Sequence, residues 1–234
     1  RFGLQDGLVE LVEKTNIPVA ATILGKSVIS EDHPLYLGVY EGAMGRSEVQ
    51  KYVESADCVL MLGCFMTDIN LGVYTANLDT SRTIYATSEK TSIRRHSFDN
   101  VPFRSFFRAL LKAPLKQLAT PEMPKPELLK SPEPGDADPI TMKALFSILN
   151  DLITDDMVVI CDIGDCLFGA IDLKIHRRTE FLSPAYYASM GFGIPASLGA
   201  QMANRSIRPL VLVGDGAFQM TGLEISTVVR LGLN

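Results

Sequence analysis

The residues best suited to chemistry lie in Val211-Leu212-Val213-Gly214-Asp215-Gly216-Ala217-Phe218. A short apolar run ending in a carboxylate between two glycines reads as a parallel strand that delivers an acid to the ligand end of an α/β sheet. Glycines at such a point let the backbone turn tightly and approach a phosphate. A single carboxylate there suits Mg²⁺, which takes one or two carboxylates and completes its shell with phosphate oxygens and water. The motif therefore predicts a metal-bridged diphosphate. An Asp-Gly pair after a strand is also a common turn. The apolar strand before it and the helix expected after it are what mark a phosphate-binding context.

Asp162-Ile163-Gly164-Asp165 ends a second apolar run, Met157–Cys161. Two strand-end acids in one domain suit a site built from several loops, although either could cap the following helix. Gly191-Phe192-Gly193-Ile194-Pro195-Ala196 partly mimics a dinucleotide fingerprint, but no apolar strand precedes it and no suitably placed acid follows. Close packing of a Gly/Ala-rich helix explains it better. The three histidines, His33, His96 and His176, are scattered; no Ser/His/Asp or Cys/His arrangement emerges, and each reads as structural. Cys58, Cys64, Cys161 and Cys166 occur singly, without a C-x-x-C pair. Thiols of a reducing compartment fit them better than structural zinc, which makes a cytoplasmic location the expectation.

Stepping outward to the elements, Leu8, Leu11 and Val12 predict a helix over Gln5–Asn16, followed by a strand at Ile17–Ile23. Arg46–Ala56 reads as a helix, Asp57–Gly63 as a buried parallel strand, Arg82–Thr87 as a strand and Pro102–Leu111 as a helix. Seven of the thirteen prolines then fall between Pro114 and Pro139, a stiff extended linker. Beyond it Thr141–Ile153 predicts a helix, Met157–Asp162 a strand, Gly191–Ala203 a small-residue helix and Arg208–Val213 a strand. Thr221-Gly222-Leu223-Glu224 has capping-box spacing and predicts a helix opening there and running to Leu231. The fold class is α/β: two parallel-sheet, three-layer domains, 1–115 and 140–234, the second truncated, with the linker at 116–139.

At 234 residues the chain can bury two proper cores, and its 47% apolar and 21% charged content is that of a globular protein. The net charge of −5 argues against nucleic acid. Arg94-Arg95-His96, the densest basic spot, reads as a solvated turn. No apolar run approaches the ~18 residues of a membrane span, so no membrane partner is expected. The chain opens at Arg1 without a signal-type segment and is expected to be an internal piece of something longer.

Together these segments resemble the thiamine diphosphate-dependent 2-oxo acid decarboxylases, the pyruvate, indolepyruvate and phenylpyruvate group. Ile17–Ser30, His33–Gly45, Asp57–Gly72 and Asp99–Leu111 are similar to that group's central domain; Asp162–Ala170, Ala188–Ala200 and Leu210–Asn234 are similar to the first half of its diphosphate-binding domain. The resemblance implies that Asp215 is a Mg²⁺ ligand and that Gly214 frames it. It implies that Gly216, Ala217 and Phe218 hold the diphosphate through backbone N–H groups. Ala217 stands where the family often has Ser, so a hydroxyl contact to phosphate is missing. Asp165 falls at a position beside the cofactor. Ala188-Ser189-Met190 matches the segment that cradles the aminopyrimidine. There Ala188 accepts from the 4′-amino group through its main-chain carbonyl, and Met190 supports the bent form of the cofactor; without the family context, Met190 reads as an ordinary core side chain.

The implied reaction turns a small-molecule 2-oxo acid into an aldehyde and CO₂, with the hard chemistry carried by thiamine diphosphate. The resemblance further implies that the remaining metal contacts follow Asn234 and that the pyrimidine-activating glutamate and substrate histidines precede Arg1. It also implies a homodimer or homotetramer. The chain by itself is accordingly expected to be inactive and to bind the cofactor weakly or not at all, and no residue within it is assigned to catalysis. Two other readings stay open: an acetohydroxyacid synthase-like carboligase, against which residues 1–115 show no dinucleotide fingerprint, and a non-catalytic module that kept the fold.

Overall fold

The computed structural model describes residues 2–125, 139–176 and 179–233. The chain divides into two units: Arg1–Ile29 with His33–Pro126, and Ser30–Asp32 with Glu127–Asn234.

In the first unit α1 (Gln5–Thr15) leads to β1 (Val19–Ala21), which pairs in parallel with β2 (Tyr36–Val39). The helix stops at Asn16, which takes a left-handed φ of 56° and donates its N–H to the Val12 carbonyl. The strand expected over Ile17–Ile23 shortens to three residues because Thr22 turns the chain, its hydroxyl accepting from Gly25 N–H at 3.2 Å. After α2 (Ser47–Ser55) comes a four-stranded sheet of β3 (Val59–Leu62), β4 (Thr83–Ala86), β5 (Lys90–Ile93) and β6 (His96–Asp99), closed by α3 (Phe103–Lys112). β3 and β4 are parallel, whereas β4–β5 and β5–β6 are antiparallel. The antiparallel meander escapes pattern reading because β6 is exposed along its whole length and offers no alternation to detect. Arg94-Arg95 forms the exposed two-residue turn between β5 and β6, with Arg94 at φ 54°. Leu11 of α1, Ala86 of β4 and Phe103 and Phe107 of α3 form a core that joins these helices to the sheet.

In the second unit α4 (Met142–Leu152) is capped by Thr141, whose hydroxyl accepts from Ala144 N–H at 3.1 Å. Then follow β7 (Met157–Cys161), α5 (Asp165–Ala170), β8 (Glu180–Leu182), α6 (Gly193–Ala203), β9 (Arg208–Leu212), α7 (Asp215–Thr221) and α8 (Ile225–Arg230). The sheet order is β8-β7-β9 and both pairings are parallel. β7 is the middle strand, and Val158 through Cys161 are buried, which accounts for its unbroken apolar sequence. The chain is thus α/β, as its strand-helix alternation predicts.

The capping box expected at Thr221–Glu224 does not form. The stretch expected as one helix is a 3-10 turn at Gly222–Glu224 followed by α8, while Thr221 is the last residue of α7 and makes no capping bond with its side chain. The hydroxyl is turned elsewhere, donating to the Gly191 carbonyl at 3.0 Å. The expected linker falls mostly on 126–138, outside the described residues; 116–125 carries no regular secondary structure.

Candidate functional site

Three parallel neighbours, β8, β7 and β9, deliver their carboxyl ends to one edge of the second unit's sheet. The segment holding Ala188, Ser189 and Met190 follows β8, Asp165 opens α5 just after β7, and Gly214-Asp215-Gly216 follows β9. Asp162 N–H bonds to Leu212 carbonyl at 2.8 Å, so the ends of β7 and β9 run side by side. One edge of a parallel sheet therefore gathers all the candidate residues, and ligands collect at such edges.

At the β9 end Gly214 is the N-cap and Asp215 the first residue of α7. Asp215 is exposed, with Oδ1 accepting from Gly216 N–H at 2.8 Å. Ala217 is buried and Phe218 is exposed. Amides in the first turn of a helix have no intrahelical acceptor and point outward along its axis, as Gly216 and Ala217 are placed to do, whereas Phe218 N–H already donates to the Gly214 carbonyl at 2.8 Å. Nothing lies within 4 Å of the place a Cβ would take at Gly164, Gly214 or Gly216, so this edge is open where a diphosphate would have to come close. Among the described residues no group of three or more His, Cys, Asp or Glu is placed to hold a metal ion. Asp215 offers a cation a hard carboxylate oxygen, a donor that suits Mg²⁺ better than it suits a structural zinc, which takes N and S ligands.

At the β8 end the chain turns through Ala185–Ala188, with Ala188 N–H bonded to the Pro184 carbonyl at 2.9 Å. Ala188 itself adopts φ 53°, in the left-handed region where a Cβ is strained. Ser189 and Met190 are exposed, Met190 by 58%, so Met190 is no core side chain. The neighbouring Tyr186 and Tyr187 rings stand 4.2 Å apart, tilted by 53°.

At the β7 end the sequence draws attention to Asp165, which is exposed, but the structure gives Asp162 the central place. Its carboxylate is fully buried and accepts three backbone N–H groups: Ile163 at 2.9 Å and Gly191 at 3.2 Å on Oδ1, and Gly193 at 2.9 Å on Oδ2. A buried carboxylate needs partners of this kind, since desolvation without them is costly. Next to it, burial and then the Asp162 and Asp165 charges push the Cys166 thiol above its ordinary range. Asp162 and Thr221 are the two residues of this site whose roles are not legible from local patterns. The available signal for Asp162 is an acid placed directly after a wholly apolar strand.

Comparison with known proteins adds the family context. Residues 1–113 match the thiamine pyrophosphate enzyme central domain, and residues 162–234 match the C-terminal TPP binding domain of the same enzymes. The whole chain aligns with indole-3-pyruvate decarboxylase of Azospirillum brasilense at 32% identity, covering 43% of that protein. It aligns over its whole length with a pyruvate decarboxylase of Candida albicans at 29% identity, covering 42% of it. With pyruvate decarboxylase isozyme 2 of Saccharomyces cerevisiae the identity is 31%, over 96% of the chain and 41% of the relative. The chain thus spans less than half the length of these relatives.

Proposed function

From the premise that the chain belongs to the thiamine pyrophosphate enzymes, we propose that it contributes the diphosphate half of a Mg²⁺-dependent 2-oxo acid decarboxylase. The observation that carries this reading is the convergence of Ala188–Met190, Asp165 and Asp215 at the carboxyl ends of three adjacent parallel strands. When bound, thiamine diphosphate supplies a nucleophilic carbon and an electron sink for the loss of CO₂ from a 2-oxo acid.

The chain's own residues bind and orient. Asp215 holds Mg²⁺, and Gly216-Ala217-Phe218 lies along the diphosphate; Gly214 leaves the approach open. The Ala217 amide, and the Gly216 amide once released by Asp215 Oδ1, donate to the diphosphate oxygens, while the Phe218 amide stays bonded to the Gly214 carbonyl. Ala188 offers its carbonyl to the aminopyrimidine. Ser189 continues that segment, and Met190 presents an apolar surface to the cofactor. Asp165 sits at the rim of the same edge. The names of the relatives, indole-3-pyruvate and pyruvate decarboxylase, support a small 2-oxo acid as substrate. Assembly into a homodimer or homotetramer belongs to the same reading, and Tyr187, Leu223 and Val229 are exposed apolar side chains of this unit that such an assembly would cover. Four cysteines outside any disulfide support work in the cytoplasm. The domain limits 1–115, 116–139 and 140–234 are those under which this division of labour operates.

The test is an NMR titration of the chain with Mg²⁺ and thiamine diphosphate carried to millimolar cofactor, a range that reads the weak binding expected of the chain by itself. Saturable shifts are expected at the Gly216, Ala217 and Phe218 amides, abolished by EDTA and by Asp215→Asn, and absent with thiamine that lacks the diphosphate. Shifts that survive EDTA, or that avoid these amides, would overturn the assignment.

A further inference from the structure

The Gly191 peptide is held at both of its ends. Its N–H donates to Asp162 Oδ1 at 3.2 Å, and its carbonyl accepts from Thr221 Oγ1 at 3.0 Å. Asp162 stands at the end of β7 and Thr221 at the end of α7, so one peptide links the strand, the turn that follows Ala188–Met190, and the helix that starts at Asp215. The same carboxylate also holds Gly193 N–H, the first residue of α6, at 2.9 Å. Space leaves little freedom here: a Cβ on Gly191 would lie 3.0 Å from Thr221 Cγ2 and 3.3 Å from Met220 Cβ, and Gly191 already takes φ 83°. The backbone is therefore pinned by two side chains and closed in by α7.

Resting on the reading of this edge as a thiamine diphosphate site, we infer that Asp162 and Thr221 are positioning residues. They set the distance between the aminopyrimidine segment and the diphosphate end by clamping the Gly191 peptide between them. Neither side chain needs to touch the cofactor. Asp162 fixes the exit of the 188–190 turn to the sheet, and Thr221 fixes it to the helix whose first turn takes the diphosphate. A two-ended ligand requires its two subsites at one set spacing, and a clamp between them preserves that spacing before the ligand arrives.

The experiment uses the chain in three variants, Asp162→Asn, Thr221→Val and Thr221→Ser, with two readouts. The first is amide hydrogen exchange at Gly191 and Gly193, with the β7 and β9 amides as the control for global stability. Asp162→Asn leaves fewer acceptors for the same three amides, and exchange at Gly191 and Gly193 is expected to rise about tenfold relative to the strands. Equal change in the strands, or none at the glycines, overturns the clamp. The second readout compares thiamine diphosphate with inorganic pyrophosphate, each with Mg²⁺. Thr221→Val is expected to weaken thiamine diphosphate about fivefold while leaving pyrophosphate within about twofold, and Thr221→Ser to restore the difference by returning the hydroxyl. Equal losses for both ligands would show a merely structural threonine and overturn the positioning role. If the wild-type chain bound neither ligand at millimolar concentration, the ligand comparison would be made on the full-length protein that carries this chain, where absence of binding overturns the proposed function, and the exchange measurement would decide the clamp.

Discussion

Ala188 carries a side chain through a backbone conformation that disfavours one, and it does so beside a carbonyl assigned to ligand binding. Its φ of 53° lies in the left-handed region, where an L-residue with a Cβ is strained by about 1–2 kcal/mol. Replacing it with glycine relieves that strain but loosens the unfolded chain by about 0.5–1 kcal/mol. Ala188→Gly is therefore expected to stabilise the second unit by about 0.5–1 kcal/mol, read as a shift of the urea midpoint without a change of slope. A lower midpoint would mean that the methyl group makes packing contacts that outweigh the strain. The residue type was legible in the sequence, as was its place before Ser189-Met190; the strain was not, because φ is imposed by the turn from Pro184 and by the clamp beyond it. Asp162 shows the same limit. Its charge is plain in the sequence, yet its three amide partners lie up to 31 residues away and meet it only when β8, β7 and β9 align.

Among elements, the packing of α4 on α5 depends on a glycine, and that of α6 does not. A Cβ at Gly169 in α5 would come within 2.0 Å of Phe146 Cε2 and 2.3 Å of its Cζ, and this ring of α4 is buried with nowhere to swing. Gly199 in α6 has nothing within 4 Å of its own Cβ position. Gly169→Ala is expected to destabilise by about 1–3 kcal/mol through overpacking. Gly199→Ala should stabilise by about 0.5–1 kcal/mol through helix propensity alone. The pair is checked by the same urea melts, and like signs for the two variants would refute the packing account. Local pattern locates α4 and α6 within two residues, since residue spacing and the cap at Thr141 are local signals, but gives no bounds for α5. It fails at Thr221, where capping-box spacing is present but a tertiary acceptor, the Gly191 carbonyl, takes the hydroxyl. It fails again at β5 and β6, which show no apolar alternation and become strands by pairing, β5 on the edge of β4 and the wholly exposed β6 on β5.

For the whole molecule, the proposed site rests on one carboxylate, Asp215, for its cation. Asp215 is exposed, and among the described residues no cluster of metal-binding side chains surrounds it. The chain spans less than half the length of its relatives, and by itself it is expected to release no aldehyde from pyruvate or indole-3-pyruvate in the presence of thiamine diphosphate and Mg²⁺. An assay coupling aldehyde to NADH oxidation checks this, and turnover above the protein-free rate would refute it. The α/β class, the G-D-G motif at a strand end and the family resemblance were determined by the sequence itself. They rest on residue types and near neighbours: an apolar run, a glycine, an acid, at spacings the chain holds locally. Tertiary structure alone decided that Asp165, Ala188–Met190 and Asp215 share one sheet edge, and that Asp162 and Thr221 grip the peptide between them. Strand order and long-range hydrogen bonds are set by which surfaces are buried together, and no local stretch of sequence contains that information.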